Sequence, residues 1–194
     1  MSDRIPQSFR LILASGSPRR RELLAKMGYT FETLVPDVDE HVSGPAREVV
    51  DILSRRKADA AAAQLSDGII IASDTLVSMN GDVLGKPADE ADAFRMLREL
   101  SGRTHEVFTG VTLIDAGSGR SLSQVVCTQV RFRDLSDEEI WAYIRTGEPM
   151  DKAGAYAIQG GARAFVEEFI GSYENVIGFP VDDIQEMLDL LTKE

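Results

Sequence analysis

Cysteine occurs once in this chain of 194 residues, at Cys127. A lone thiol excludes a disulfide framework and a cysteine zinc cluster. Its strand-like, apolar surroundings read as those of a small core residue. The two histidines, His41 and His105, lack the spacing of a metal pair and read as structural or exposed. Residues 1–7 lack a long apolar run, so no signal peptide or membrane span is expected there, and the cytoplasm is the expected compartment. Positive charge is in deficit. Lys and Arg number 21 against 32 Asp and Glu, a net charge of −11, which argues against a general binder of nucleic acid or of anionic membranes. A Walker loop, a serine in a nucleophile elbow and an internal repeat are all missing. The hydrophobic and charged fractions, 43% and 27%, are those of an ordinary globule with ample core for one domain over 1–194, undivided or in two lobes.

What is present begins at a strand-to-helix junction, Leu11-Ile12-Leu13-Ala14-Ser15-Gly16-Ser17-Pro18-Arg19-Arg20-Arg21. The apolar run reads as a short buried strand, with Ser17 as a helix N-cap and Pro18 at the first helical position. Free N–H groups at such a junction can hold an anion. Arginines in a first helical turn oppose the macrodipole. A phosphate lying between the helix end and the guanidinium forks would resolve that conflict. A solvated basic turn is the alternative.

Farther along, residues 29–35 alternate toward a second strand, 36–40 form an acidic loop, and 47–65 read as a helix with Lys57 in its middle. Gly68-Ile69-Ile70-Ile71-Ala72 reads as a buried central strand that delivers Ser73-Asp74-Thr75. Asn80-Gly81 between alternating segments predicts a tight hairpin pairing Met79 with Asp82 and, counting outward, Thr75 with Lys86. Asp74 should point to the opposite face from Thr75. A helix over 89–100 follows, then strands over 104–115 and 121–133 around Ala116-Gly117-Ser118-Gly119. Ser136 and Glu139 predict a capping box opening a helix through Arg145. Residues 148–161 read as a loop, 164–170 as a strand and 182–191 as a closing helix. Crossover helices mixed with hairpins indicate an α/β fold with a mixed sheet.

Three groups could carry chemistry: the 15–20 junction, the acids Asp37, Asp39 and Glu40, and Asp74-Thr75 with Lys86. Each alone has a bland reading, as a solvated basic turn, a solvated loop or a capping or paired aspartate. Together they suit phosphoanhydride cleavage. Arg19, Arg20, Lys57 and Lys86 would grip an anionic chain, Glu40 and Asp74 would offer oxygens to a hard divalent ion, and Asp74 would take a proton from water.

The ordered motifs Ala14-Ser15-Gly16-Ser17-Pro18-Arg19-Arg20, Ser73-Asp74-Thr75, Leu84-Gly85-Lys86-Pro87, Ser101-Gly102-Arg103-Thr104-His105, Glu148-Pro149-Met150-Asp151-Lys152-Ala153-Gly154-Ala155-Tyr156 and Gly171-Ser172-Tyr173 resemble the Maf family of nucleoside triphosphate pyrophosphatases. The resemblance runs from Leu11 to about Leu190. It implies a mixed twisted sheet with flanking helices, elongated and two-lobed like the inosine triphosphate pyrophosphatases, with a nucleotide in the cleft. It implies a nucleoside triphosphate substrate, a divalent cation (Mg²⁺, Mn²⁺ or Co²⁺) and a homodimer. Carried onto matching positions, Asp74 is the proton acceptor, while Ser15, Arg20, Glu40, Lys57 and Lys86 handle phosphate or metal. Arg19, Thr75 and Gln159 set base preference. Residues 151–160 resemble the branch acting on dTTP and UTP, and the Gln159 amide could complement a uracil or thymine edge. Ala157 and Phe179 depart from the residues usual in that branch. The rival readings are a 7-methyl-GTP pyrophosphatase of the same family and a non-catalytic nucleotide-binding regulator of cell division.

Overall fold

A computed structural model describes residues 7–193. The expectation for the leading segment therefore lies, but for Gln7, outside the described residues. Strand β1 (Leu11–Leu13) enters the middle of a sheet and hands over to α1 (Pro18–Lys26), followed by the edge strand β2 (Glu32–Thr33) and the long helix α2 (Ala46–Ala62). Strand β3 (Ile69–Met79) turns back as β4 (Asp82–Leu84), and α3 (Glu90–Leu100) leads to the long hairpin β5 (Thr104–Asp115) and β6 (Ser121–Phe132). Helix α4 (Asp137–Ile144), three short 3₁₀ turns, β7 (Val166–Ile170), α5 (Tyr173–Ile177) and α6 (Val181–Thr192) complete the chain. The seven strands form one mixed sheet in the order β2-β1-β3-β5-β6-β7, with β4 paired to β3 off that path. β1 is parallel to β2 and β3, and the remaining pairs are antiparallel. The α/β class and mixed sheet expected from the sequence are what the chain forms.

The apolar run of β3 is continuous because both faces of its first half are covered. Ile69 and Ile71 pack with Leu11 and Leu13 against α1 and α6, whereas Ile70 and Ala72 pack with Ile12 against Ala58 and Ala61 of α2. Its second half joins another core: Val77 and Met79 pack with Leu84, α3, α4 and the 3₁₀ turns. One strand thus runs from one core into the other, and Asp74 and Thr75 lie at the crossing.

The hairpin at Asn80-Gly81 forms as the sequence predicts, with positive φ at both residues (53° and 92°) as a two-residue I′ turn requires, and Met79 pairs Asp82. The ladder stops at Val77↔Leu84, however, so Thr75 does not pair with Lys86. Gly85 instead accepts a hydrogen bond from the Gly154 N–H at 3.0 Å, and Thr75 pairs Thr109 on β5.

Other expectations shift as well. The strand expected over 29–35 shrinks to two exposed residues, because it is the edge of the sheet and has no neighbour on its outer side. Residues 148–151, 153–155 and 161–165 wind into 3₁₀ turns, in place of the loop expected over 148–161 and the strand expected from 164. Helix α5 is an addition to the expected elements, although Ser172 caps it by accepting from the Asn175 N–H at 3.1 Å. Cys127 is half-buried rather than a core residue. Burial and the nearby Glu106 carboxylate push its thiol up, away from reactivity. His41 is exposed and His105 is buried, as expected.

Candidate active site

A cavity of about 1010 Å³ opens where the two cores meet, lined by the 14–20 junction, α2, the middle of β3, the β3–β4 hairpin and residues 151–156. The junction is shaped by two serines. Ser17 Oγ accepts from the Arg20 N–H to cap α1, and Ser15 Oγ accepts from the Ser17 N–H at 3.1 Å. With proline at the start and no acid in the first turn, the helix end is left free to meet an anion.

Alternation along β3 sends Asp74 and Thr75 to opposite faces, as the sequence predicts. Asp74 turns to α2, where Lys57 Nζ donates to its Oδ1 at 2.6 Å. Thr75 turns to the α1 side, where its hydroxyl meets Arg20 Nη2 at 3.2 Å and Thr109 Oγ1 at 2.9 Å. The second contact of Lys57 is Glu40 Oε1 at 2.8 Å, and that hydrogen bond is the main reason the Glu40 carboxyl is held below its usual range. The acidic loop bearing Glu40 is pinned to the same helix by Arg56, which donates to the Asp39 carbonyl at 2.9 Å.

Sequence reasoning missed what lets α2 come so close. Gly110 lies opposite Asp74 on β5, and a Cβ there would stand 2.2 Å from the Val50 carbonyl oxygen of α2. Val50 and Lys57 are two turns apart on one helix face. The bare backbone at Gly110 therefore sets the depth at which Lys57 reaches Asp74. A glycine inside an otherwise alternating strand was the available signal.

Arg20 behaves differently from the free phosphate fork expected of it. Its Nε donates to the Gly178 carbonyl at 2.9 Å and its Nη1 to the Ser73 carbonyl at 2.8 Å, with Ser15 Oγ at 3.4 Å. Burial works against its charge and the field of Asp74 favours it. The guanidinium is thus a tie joining α1, β3 and the α5–α6 turn, with most of its donors spent on the protein. Arg19 and Lys86, by contrast, line the cavity and take no hydrogen bond or ion pair among the described residues, which leaves them open to an anion.

Eight of the nine predicted site residues converge on this wall: Ser15, Arg19, Arg20, Glu40, Lys57, Asp74, Thr75 and Lys86. Gln159 does not. It is exposed and off the wall, because Ala157 and Ile158 turn inward and the Tyr143 hydroxyl meets the Ala157 N–H at 3.0 Å. Two wall residues the sequence left without a role, Asp151 and Lys152, form an ion pair. Wall charges total five Lys or Arg and four Asp or Glu, a cationic excess inside an acidic chain.

Two carboxylates, Glu40 and Asp74, fit a hard divalent ion of the kind that takes one or two protein carboxylates and completes its shell with phosphate oxygens. Among the described residues there is no group of three or more His, Cys, Asp or Glu able to enclose an ion by themselves. No helix among them is long and apolar enough to cross a membrane.

A "dTTP/UTP pyrophosphatase" of Thermococcus gammatolerans is 49% identical over 180 residues, covering 93% of this chain and 96% of its own. Proteins of the same name from Carboxydothermus hydrogenoformans and Geobacter metallireducens are 51% identical over 173 residues and 48% over 186. These cover 89% and 95% of this chain and 93% and 97% of their own. Residues 10–191 match the family described as Maf-like protein, and the chain belongs to that family.

Proposed function

We propose that this chain hydrolyses dTTP and UTP to the nucleoside monophosphate and pyrophosphate, as a single domain of two lobes closing on the cavity, in the cytoplasm. The observation that carries the reading is the Asp74–Lys57–Glu40 chain, with contacts of 2.6 and 2.8 Å, on a wall that also presents Arg19 and Lys86. The relatives named dTTP/UTP pyrophosphatase supply the substrate.

In this reading the triphosphate lies against the N–H groups of Ser15 and Gly16, with Lys86 and Arg19 on its oxygens and Arg20 fixing the junction from behind. Asp74, oriented by Lys57, accepts a proton from the attacking water. Glu40 and Asp74 would hold Mg²⁺, Mn²⁺ or Co²⁺, and the bound ion would offset charge developing on the phosphate oxygens. No covalent intermediate is needed. Arg19 and Thr75 act on base choice from the wall. Gln159 enters as a member of the segment that also carries Asp151 and Lys152. Gln159→Glu measures its part through the ratio of dTTP to GTP turnover, which should fall. An unchanged ratio removes Gln159 from the proposal.

The test of the whole reading is a turnover panel of nucleoside triphosphates, 7-methyl-GTP included, with each of the three cations. Preferred release of pyrophosphate from dTTP and UTP is expected. Preference for 7-methyl-GTP, or nucleotide binding without turnover, would overturn it.

A further inference from the structure

Lys57 does more than orient one carboxylate. Its ammonium contacts Asp74 and Glu40 at once, its own side chain is 14% exposed and that of Asp74 is 13% exposed. An ammonium has three donors, so both contacts can be held together. Lys86 and Arg20 also act electrostatically on Glu40, and Arg19 acts on Arg20. Two carboxylates therefore face a surplus of fixed positive charge, and the cation nearest to both is part of the protein.

We propose that Lys57 is the resident counter-cation of the Glu40–Asp74 pair, and that a divalent ion joins this pair only together with the phosphate chain that draws Lys57 away. The inference rests on the reading of these two acids as the metal-facing carboxylates, and it adds an order of assembly. A bare divalent ion meets two obstacles. It must displace a largely desolvated ammonium from both of its carboxylate partners, and it must enter a field to which Arg20 and Lys86 contribute. A polyphosphate removes both. It brings acceptor oxygens for Lys57, oxygens that complete the ion's shell, and negative charge that reverses the local field. Cation and polyphosphate then strengthen each other's binding, and the coupling is reciprocal. Free protein would hold no divalent ion, and its acids would stay poised by a charge that cannot diffuse away.

Titration of nucleotide-free protein with Mn²⁺, read from the electron paramagnetic resonance signal of the free ion, tests this directly. Wild type is expected to show no saturable site. Lys57→Gln, which keeps a polar stem but loses the charge, should gain one saturable Mn²⁺ site per chain. A unit charge a few ångströms away shifts ionic equilibria by about 10- to 1000-fold. Lys57→Arg, which keeps the charge, should remain silent, and adding Asp74→Asn to Lys57→Gln should abolish the gained site. Lys57→Met provides a second neutral variant should Lys57→Gln fail to fold. Saturable binding of Mn²⁺ by nucleotide-free wild type, or no gain on neutralising Lys57, would overturn the proposal. None of these arms requires turnover, so a failed pyrophosphatase assay and a failed Mn²⁺ titration are separate outcomes.

Discussion

Asp74 and Arg20 stand near each other in the cavity wall but do different work. Asp74 presents a carboxylate held by one cation, whereas Arg20 satisfies the buried Ser73 carbonyl and shares the Gly178 carbonyl with Ser73 Oγ. An unpaired buried acceptor costs about 1–3 kcal/mol. Arg20→Ala is therefore expected to lower Tm, by about 2–4 °C per kcal/mol for a chain of this size. A thermal melt checks this, and an unchanged Tm would mean that the ties contribute nothing. His105 is a second residue with a measurable signature. Its ring is buried against Phe132 and Tyr156, its Nε2 meets the Tyr156 hydroxyl at 2.8 Å, and its Nδ1 has no partner among the described residues. Burial pushes its pKa down to about 4. Between about pH 6.5, the ordinary value, and pH 4 the unfolded chain takes up a proton at this position that the folded chain refuses. The contribution is thus whole above the ordinary value and falls as pH drops, by about 1.4 kcal/mol per unit. Urea unfolding of wild type and His105→Gln across that range should differ in slope by this amount, and parallel curves would contradict it. Single residues are also where sequence reading ends. Arg19 and Arg20 are neighbours in one motif, yet only the tertiary packing of α1 against the Gly178 turn decides that one is tied down and the other free.

At the scale of elements, the site depends on how closely α2 lies on β5. Gly110→Ala would place a methyl group in the Val50 carbonyl and push the helix outward. Overpacking of this kind costs about 1–3 kcal/mol. Because Lys57 rides on that helix, turnover should fall further than the loss of folded protein accounts for. A melt alongside the initial rate separates the two, and a fully folded, fully active variant would strip Gly110 of this role. Helix α4 offers the contrast. Ser136 and Glu139 form the reciprocal box predicted from sequence, with contacts of 3.2 and 2.9 Å. Ser136→Ala should cost about 0.5–2 kcal/mol while leaving the rate of folded enzyme unchanged. These elements were legible because their signals are local: a cap, an Asn-Gly turn, an apolar run. Helix α5, the 3₁₀ turns and the end of the β3–β4 ladder were not. The ladder ends where a distant segment takes over, with Gly154 donating to Gly85, and the local cap at Ser172 opens a helix of only five residues.

At the scale of the molecule, a net charge of −11 surrounds a wall whose charged side chains carry a small cationic excess. The body repels a polyanion and the cavity attracts it, so binding depends on short-range pairing rather than on long-range steering. The site can form because β3 passes from one core to the other and carries Asp74 to the boundary, where α2 brings Lys57 and the acidic loop brings Glu40. The most direct test is pyrophosphate release from dTTP by Asp74→Asn beside wild type, with both melts recorded. The variant should stay folded, with a Tm lowered by the loss of the charge that pairs with Lys57, and lose about 10²- to 10⁴-fold in rate per folded protein, the usual worth of a positioned base. Wild-type release by a folded Asp74→Asn protein would contradict Asp74 as the group that takes the proton from water.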